Sequence, residues 1–353
     1  MMTSKERWLA VLRREPARPG KPDRVPMDYW ATGEATQNVM HHLGVDTEAA
    51  LFERLHIDRP LGVGPRYVGP KPPEGEDIFG CRHVTVDYGT GVYQELANNP
   101  LARYNSVGEI EANYTWPDPD WWDYSQIPGQ IEGREDRPIQ GGGSEPFLLY
   151  KSLRGQEQGM MDLLLNPEMV HYCLDKLFHL AYENTRRIYE AIPGEVMMSY
   201  VAEDLGSQED LLFSPAHIRE LLLPWMKRMI DLAHSAGAFA FHHTDGAVRK
   251  ILPDLIAIGI DVLNPIQWRC KGMEREGLKR DFGGRLIFHG GVDNQHTLPF
   301  GTVEEVRQEV ADNLRLLGAG GGYILAPCHN LQAVGPAENV VAMYETGYEL
   351  GWR

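Results

Sequence analysis

Two adjacent histidines and an aspartate stand at one strand end in residues 238–267, AFAFHHTDGAVRKILPDLIAIGIDVLNPIQ. The stretch reads as strand, short polar turn, helix and strand. His242 and His243 close the first strand, and Asp245 and Gly246 follow at the turn. In α/β folds the carboxyl edge of the sheet is where sites are built. Side chains at other strand ends would share that edge: Asp58, Glu203, Asp204, Asn264, Gln267, His289, Asp293, Cys328 and His329. One histidine, one sulfur and one or two carboxylates can hold Zn²⁺ with a position open to substrate. The set His243, Asp245, Cys328 and Glu203 meets that description. The same residues also fit a polar mouth in which His243 donates to a carboxylate and Cys328 is a small buried filler. Alternation along a strand gives His243 and Asp245 one face and His242 the other, but does not say which face looks inward. His242 and His289 are expected to be hydrogen-bonded structural residues.

The elements that would position these residues repeat regularly. Strand patterns fall near residues 25, 57, 138, 196, 238, 261, 286 and 323, with helices between them in the second half. Eight strands with βα regularity predict an α/β protein of the (β/α)8 TIM-barrel class. Residues 3–14 suit an amphipathic helix, followed by a Pro/Gly-rich loop. Asn166 and Ser214 are expected helix caps with proline next, Pro224 an expected kink, and Thr302 with Glu305 a capping box. Residues 64–137 break the rhythm and are expected to form an insertion or cap within one barrel domain spanning 1–353. That insertion holds a hairpin pattern and the run Trp116-Pro-Asp-Pro-Asp-Trp121-Trp122. It would pack aromatic side chains on the main domain or cover a pocket mouth, where Trp122 is a substrate-binding candidate.

With 353 residues, 42% apolar and 24% charged, the chain can bury a large core. A formal net charge of −16 argues against nucleic-acid and anionic-membrane partners. Arg66, Arg82, Arg134 and Arg269 can still meet an anion locally. The four cysteines form no C-x-x-C pair and are too scattered for a disulfide framework. The amphipathic N-terminus is no signal peptide, and the longest apolar region is interrupted by Pro253, Asp254 and Asp261. A reduced, soluble, cytoplasmic protein is the expectation. The glycine runs 141–143 and 320–322 are read as tight loops rather than phosphate cradles, since neither has a P-loop lysine. No serine-hydrolase elbow or H-E-x-x-H motif occurs.

Several stretches together resemble the uroporphyrinogen decarboxylase superfamily, which also contains cobalamin-dependent methyltransferases. They are Glu203-Asp-Leu-Gly-Ser-Gln208, His243-Thr-Asp-Gly246, Gly259-Ile-Asp-Val-Leu-Asn-Pro-Ile-Gln267, Gly290-Gly-Val-Asp293, Gly320-Gly-Gly-Tyr-Ile-Leu-Ala-Pro327 and Pro336-Ala-Glu-Asn339. The resemblance implies a (β/α)8 barrel. The family's decarboxylases carry an arginine-rich N-terminal motif, whereas residues 25–33 here hold no arginine. The chain therefore looks closer to the methyltransferase-like branch. That branch often binds zinc through His-x-Cys and a distant Cys. His243 matches the His, Asp245 replaces the first Cys and Cys328 matches the second. The resemblance implies a zinc-assisted methyltransferase of one-carbon metabolism, exchanging a methyl group between a small substrate and cobalamin on a separate corrinoid protein. Glu203 and Asp58 would be catalytic, Gln267, Asp293 and Trp122 substrate-binding, and Glu203 a further metal ligand. A homodimer is a further expectation. A cofactor-free decarboxylase using Asp58, and a barrel that only binds a small ligand or corrinoid partner, are the alternative readings.

Overall fold

The computed structural model describes residues 1–14, 22–87, 89 and 91–352. Most of the Pro/Gly-rich loop expected before residue 25 lies outside them. Seven parallel strands form one curled sheet in chain order: β1 (Leu61–Val63), β2 (Ile139–Ser144), β3 (Met198–Ala202), β4 (Phe239–His243), β5 (Val262–Asn264), β6 (Ile287–Val292) and β7 (Tyr323–Pro327). Each strand pairs in parallel register with the next. The eighth position is filled by residues 25–31, which carry only single bridges. Met27 bridges Leu325 in parallel, and Met27 O accepts from Asp58 N at 2.7 Å. The barrel thus closes between β7 and the segment leading into β1. The expected eighth strand is present as an extended arm because Pro26 cannot donate to a ladder.

Helices cover the outside. Thr302 and Glu305 form the expected capping box on the helix Val303–Leu316, and Ser214 caps Pro215. At Pro224 a π segment, Ile218–Leu222, passes into the helix Leu223–Ser235. The missing proline N–H is accommodated by this change of register. Asn166 departs from expectation. It precedes the helix Pro167–Ala191 without a side-chain cap bond, because its amide donates to Asp162 instead.

Parity resolves inside the barrel. Phe241 packs with Trp8, Met198, Val262, Ile287 and Ile324 in an inner cluster, whereas Ala240 belongs to the core beneath the helices. His243 shares the inward face of Phe241, and His242 looks outward. The helix Ser4–Leu12 closes the amino end of the barrel through Trp8, which is fully buried. Within residues 64–137, the hairpin His83–Asp87 with Val92–Leu96 exposes every residue. The Trp116–Trp122 stretch packs on the flank: Trp116 stacks edge-on against Tyr172, and Arg187 donates to Pro119 O. Among the described residues no helix is long and apolar enough to cross a membrane.

Candidate metal centre and mouth cavity

At the carboxyl edge, Asp204 follows β3, His243 ends β4 and Asp245 follows it. Their ligand atoms all lie within 4.8 Å of one another. His243 Nε2 stands 3.7 Å from Asp204 Oδ1 and 4.0 Å from Asp245 Oδ1. The turn that holds them is tight. Gly246 adopts φ +87°, and a Cβ there would collide with the backbone of Gly206 and Ser207. Gln267 Oε1 accepts from Gly246 N, and Asp204 Oδ1 accepts from Asp245 N.

These groups fit a cation. His243 Nδ1 lies 2.6 Å from Asn264 Oδ1. An amide oxygen only accepts, so Nδ1 carries the proton, and in its neutral form the ring would present the Nε2 lone pair to both carboxylates. The three side chains then converge with no side-chain donor between them, the Asp245 N–H to Asp204 Oδ1 being the one hydrogen bond within the group. Asp245 Oδ1 is buried and has no hydrogen-bond partner, a condition that costs free energy unless a donor or a cation meets it. Burial pushes the Asp245 carboxyl up, while His243 pulls it down. Glu145, at the start of the helix Pro146–Arg154, is likewise pushed up by burial, opposed by His243 and reinforced by Asp204. His329 Nε2 stands at the rim, 4.0 Å from Asp245 Oδ2.

Aromatic rings frame this cluster. Trp30 and Tyr200 stack on His243 with centroids at 5.8 and 5.6 Å. Both also line an adjoining cavity of about 510 Å³, together with Asp28, Arg59, Gln140 and Asn330. Glycines at 62, 141 and 142 leave its far wall open. Gly143, at φ +139°, lets β2 approach Tyr200, whose carbonyl a Cβ would strike.

The remaining expected site residues are placed elsewhere. Glu203 points away from His243 because successive residues after a strand face opposite ways. It accepts from Phe147 N at 2.8 Å, and burial drives its carboxyl well above the usual range. Asp204 occupies the place expected for Glu203. Cys328 donates from Sγ to Ile266 O at 3.1 Å, and burial holds it as a thiol; it is outside the converging group. Asp58 lies at the opposite end of the barrel, held by Arg7, Arg24, Ser4 and Met27 N. With every oxygen so engaged, it has no role at the mouth. Asp293 is a loop clamp that accepts from Gln295 N, His296 N, Thr297 N and Arg269. Gln267 holds the Gly246 turn. Trp122 packs edge-on against Tyr67 and is not among the cavity's lining residues. Arg66, Arg82 and Arg269 each pair with a carboxylate. His242 Nδ1–H donates to Val201 O, and burial lowers the imidazole to about 4. His289 bonds to Asp28 inside the barrel. All four cysteines are free and buried.

Sequence reasoning overlooked Glu145, Trp30 and Tyr200. Tyr200 alternates inward along β3 just as His243 does along β4, a signal present once the two strands are aligned.

A family model described as uroporphyrinogen decarboxylase matches residues 132–350, more than half of the chain. The chain belongs to the uroporphyrinogen decarboxylase family. Uroporphyrinogen decarboxylases from Pseudomonas syringae pv. tomato and Azotobacter vinelandii are each 23% identical to it, over 224 and 221 residues. The matches cover 60% of this chain and 54% of each relative, so the chain spans about half the length of the curated relatives it matches. A methyltransferase from Methanosarcina mazei shares the fold over 99% of both chains, with a TM-score of 0.70 and 21% identity. This uroporphyrinogen decarboxylase-family barrel therefore carries its converging acids and His243 at the edge where the fold builds sites.

Proposed function

We propose that the chain is a zinc-assisted methyltransferase that exchanges a methyl group between a small substrate and a corrinoid protein. The observation that carries this reading is the convergence of Asp204, His243 and Asp245 with a bare Nε2 and an unpartnered carboxylate oxygen. Three protein ligands and one open position are the usual form of a catalytic zinc site. Bound there, zinc would supply Lewis acidity toward a thiolate, methoxy or amine group. The protein's own residues do the rest. Asp204 and Asp245 bring negative charge that retains the cation, and His243 is oriented by Asn264. Trp30 and Tyr200 exclude water from one side of His243 and shape the cavity that would receive the substrate. Glu145, kept protonated more readily by burial, can hand a proton to a leaving group near Tyr200.

The full-length likeness to a methyltransferase supports this choice of reaction. Decarboxylation of a polycarboxylate is the weaker reading, because Arg59 is the one cation among the described residues lining the cavity and Asp58 is engaged elsewhere. The test is methyl transfer to free cob(I)alamin, or from free methylcobalamin, with Zn²⁺ present. Transfer that disappears in His243→Ala supports the proposal. Turnover of uroporphyrinogen III with no methyl transfer replaces it.

A further inference from the structure

The bare nitrogen of His243 has a cause three residues deep. Asn264 joins two histidines: its Oδ1 faces His243 Nδ1 at 2.6 Å and its Nδ2 faces His289 Nδ1 at 2.7 Å. His289 Nε2 in turn meets Asp28 Oδ2 at 2.9 Å. Asn264, His289 and Asp28 are 1%, 0% and 3% exposed, so water does not interrupt the series.

The direction of every bond follows from its far end. A carboxylate only accepts, so His289 Nε2–H donates to Asp28. The neutral ring then has a lone pair at Nδ1, which accepts from Asn264 Nδ2–H. The amide is thereby oriented with its oxygen toward His243, whose Nδ1–H donates. Nε2 is left free toward Asp204 and Asp245. Reversing the amide would make His243 Nδ1 an acceptor and put the proton on Nε2, where it blocks a cation. That reversal requires His289 Nδ1 to donate. Its Nε2 lone pair would then face the Asp28 carboxylate, unless a ring with no solvent access took a second proton. Asp28 is itself fixed. Its Oδ1 accepts from Tyr29 N and its Oδ2 also accepts from Trp30 Nε1.

We infer that Asp28, His289 and Asn264 are positioning residues that set the tautomer of His243 and so its capacity to bind a cation. This rests on the metal reading above, but the tautomer itself can be read without metal. Asp28 comes from the N-terminal arm, outside the residues matched by the family model. The arm therefore does more than close the barrel. Bonds that orient a ligating histidine are generally worth about 10–100-fold in metal affinity.

The experiment combines ring ¹⁵N spectra of histidine-labelled, metal-free protein with zinc affinity by chelator competition. Wild type is expected to show His243 protonated at Nδ1. Asn264→Leu should lower zinc affinity by about 10–100-fold, and Asn264→Asp, which restores an acceptor, should recover most of it. Asp28→Asn, three links from the zinc, should weaken binding and convert the His243 signal to a mixture of tautomers. It also serves if Asn264→Leu does not fold. A wild-type His243 protonated at Nε2 overturns the inference. So do Asn264→Leu and Asp28→Asn proteins that bind zinc as wild type does. Wild type that binds no zinc yet shows the Nδ1–H tautomer contradicts the metal reading and upholds the relay.

Discussion

The two ends of the barrel each hold acidic groups, buried at one and half-buried at the other, and they differ in what surrounds them. At the amino end, Asp58 is 1% exposed and its two oxygens meet Arg7, Arg24, Ser4 and Met27 N. Asp23 adds a second carboxylate on Arg7. Charges and donors are matched there. At the carboxyl end, Asp204, Asp245 and His243 converge with no arginine or lysine ion pair among the described residues, and one oxygen has no partner. Matched buried charge holds a structure together. Unmatched acceptors that persist in a packed fold mark a place for something the chain does not itself provide.

Breaking the matched end should have the largest effect. Asp58→Ala leaves buried Arg24 without its carboxylate and Arg7 with Asp23 alone, and removing one partner of a buried pair costs about 3–5 kcal/mol. Denaturant unfolding checks this. The loss should appear in stability while residual folded protein still binds zinc.

At the other end the pattern should invert. Asp245→Asn replaces one of the two converging carboxylates with a neutral amide. Zinc affinity should fall at least tenfold, while thermal stability without metal stays the same or rises. Calorimetry with and without zinc separates the two effects. A loss of stability as large as that of Asp58→Ala would erase the contrast.

A third prediction concerns pH. Burial, the largest influence, pushes the Asp23 carboxyl up, but hydrogen bonds from Arg7, Met2 N and Arg24 N outweigh it and hold it below its ordinary value. A carboxyl depressed in the folded state contributes stability above its unfolded value of about 3.9. That contribution is lost as pH falls through the lower folded value. Stability measured from pH 6 downward, in roughly half-unit steps, should decline less steeply in Asp23→Asn than in wild type. An identical acid limb in both proteins would count against this.

The smallest effect should come from Trp122, which packs on Tyr67 and is not among the residues lining the cavity. Trp122→Ala should leave zinc affinity unchanged and cost under about 2 kcal/mol, the range of most single substitutions.

These contrasts also explain what was legible in the sequence. Strand and helix positions follow from local alternation, caps and turns, so seven strands and the place of the eighth could be read. His243 and Asp245 could be read too, since strand ends converge in any βα barrel. The partners could not. Glu203 and Asp204 are adjacent and chemically alike; alternation puts them on opposite faces, but only the closed barrel decides that Asp204 is on the inner one while Glu203 meets Phe147 N. Cys328 had the right residue type, but its thiol turns to the Ile266 carbonyl. Asp58 looked like a catalytic acid because its two arginines, at 7 and 24, are far from it in sequence. The Asp28–His289 bond spans 261 residues, and no local pattern announces such a pair.

Zinc binding by metal-free protein decides whether Asp204, His243 and Asp245 hold a cation. Wild type is expected to take up about one zinc per chain, with binding weakened at least tenfold in both His243→Ala and Asp245→Asn and retained in Cys328→Ala. Absence of binding in wild type, or binding that depends on Cys328 and not on Asp245, would contradict it.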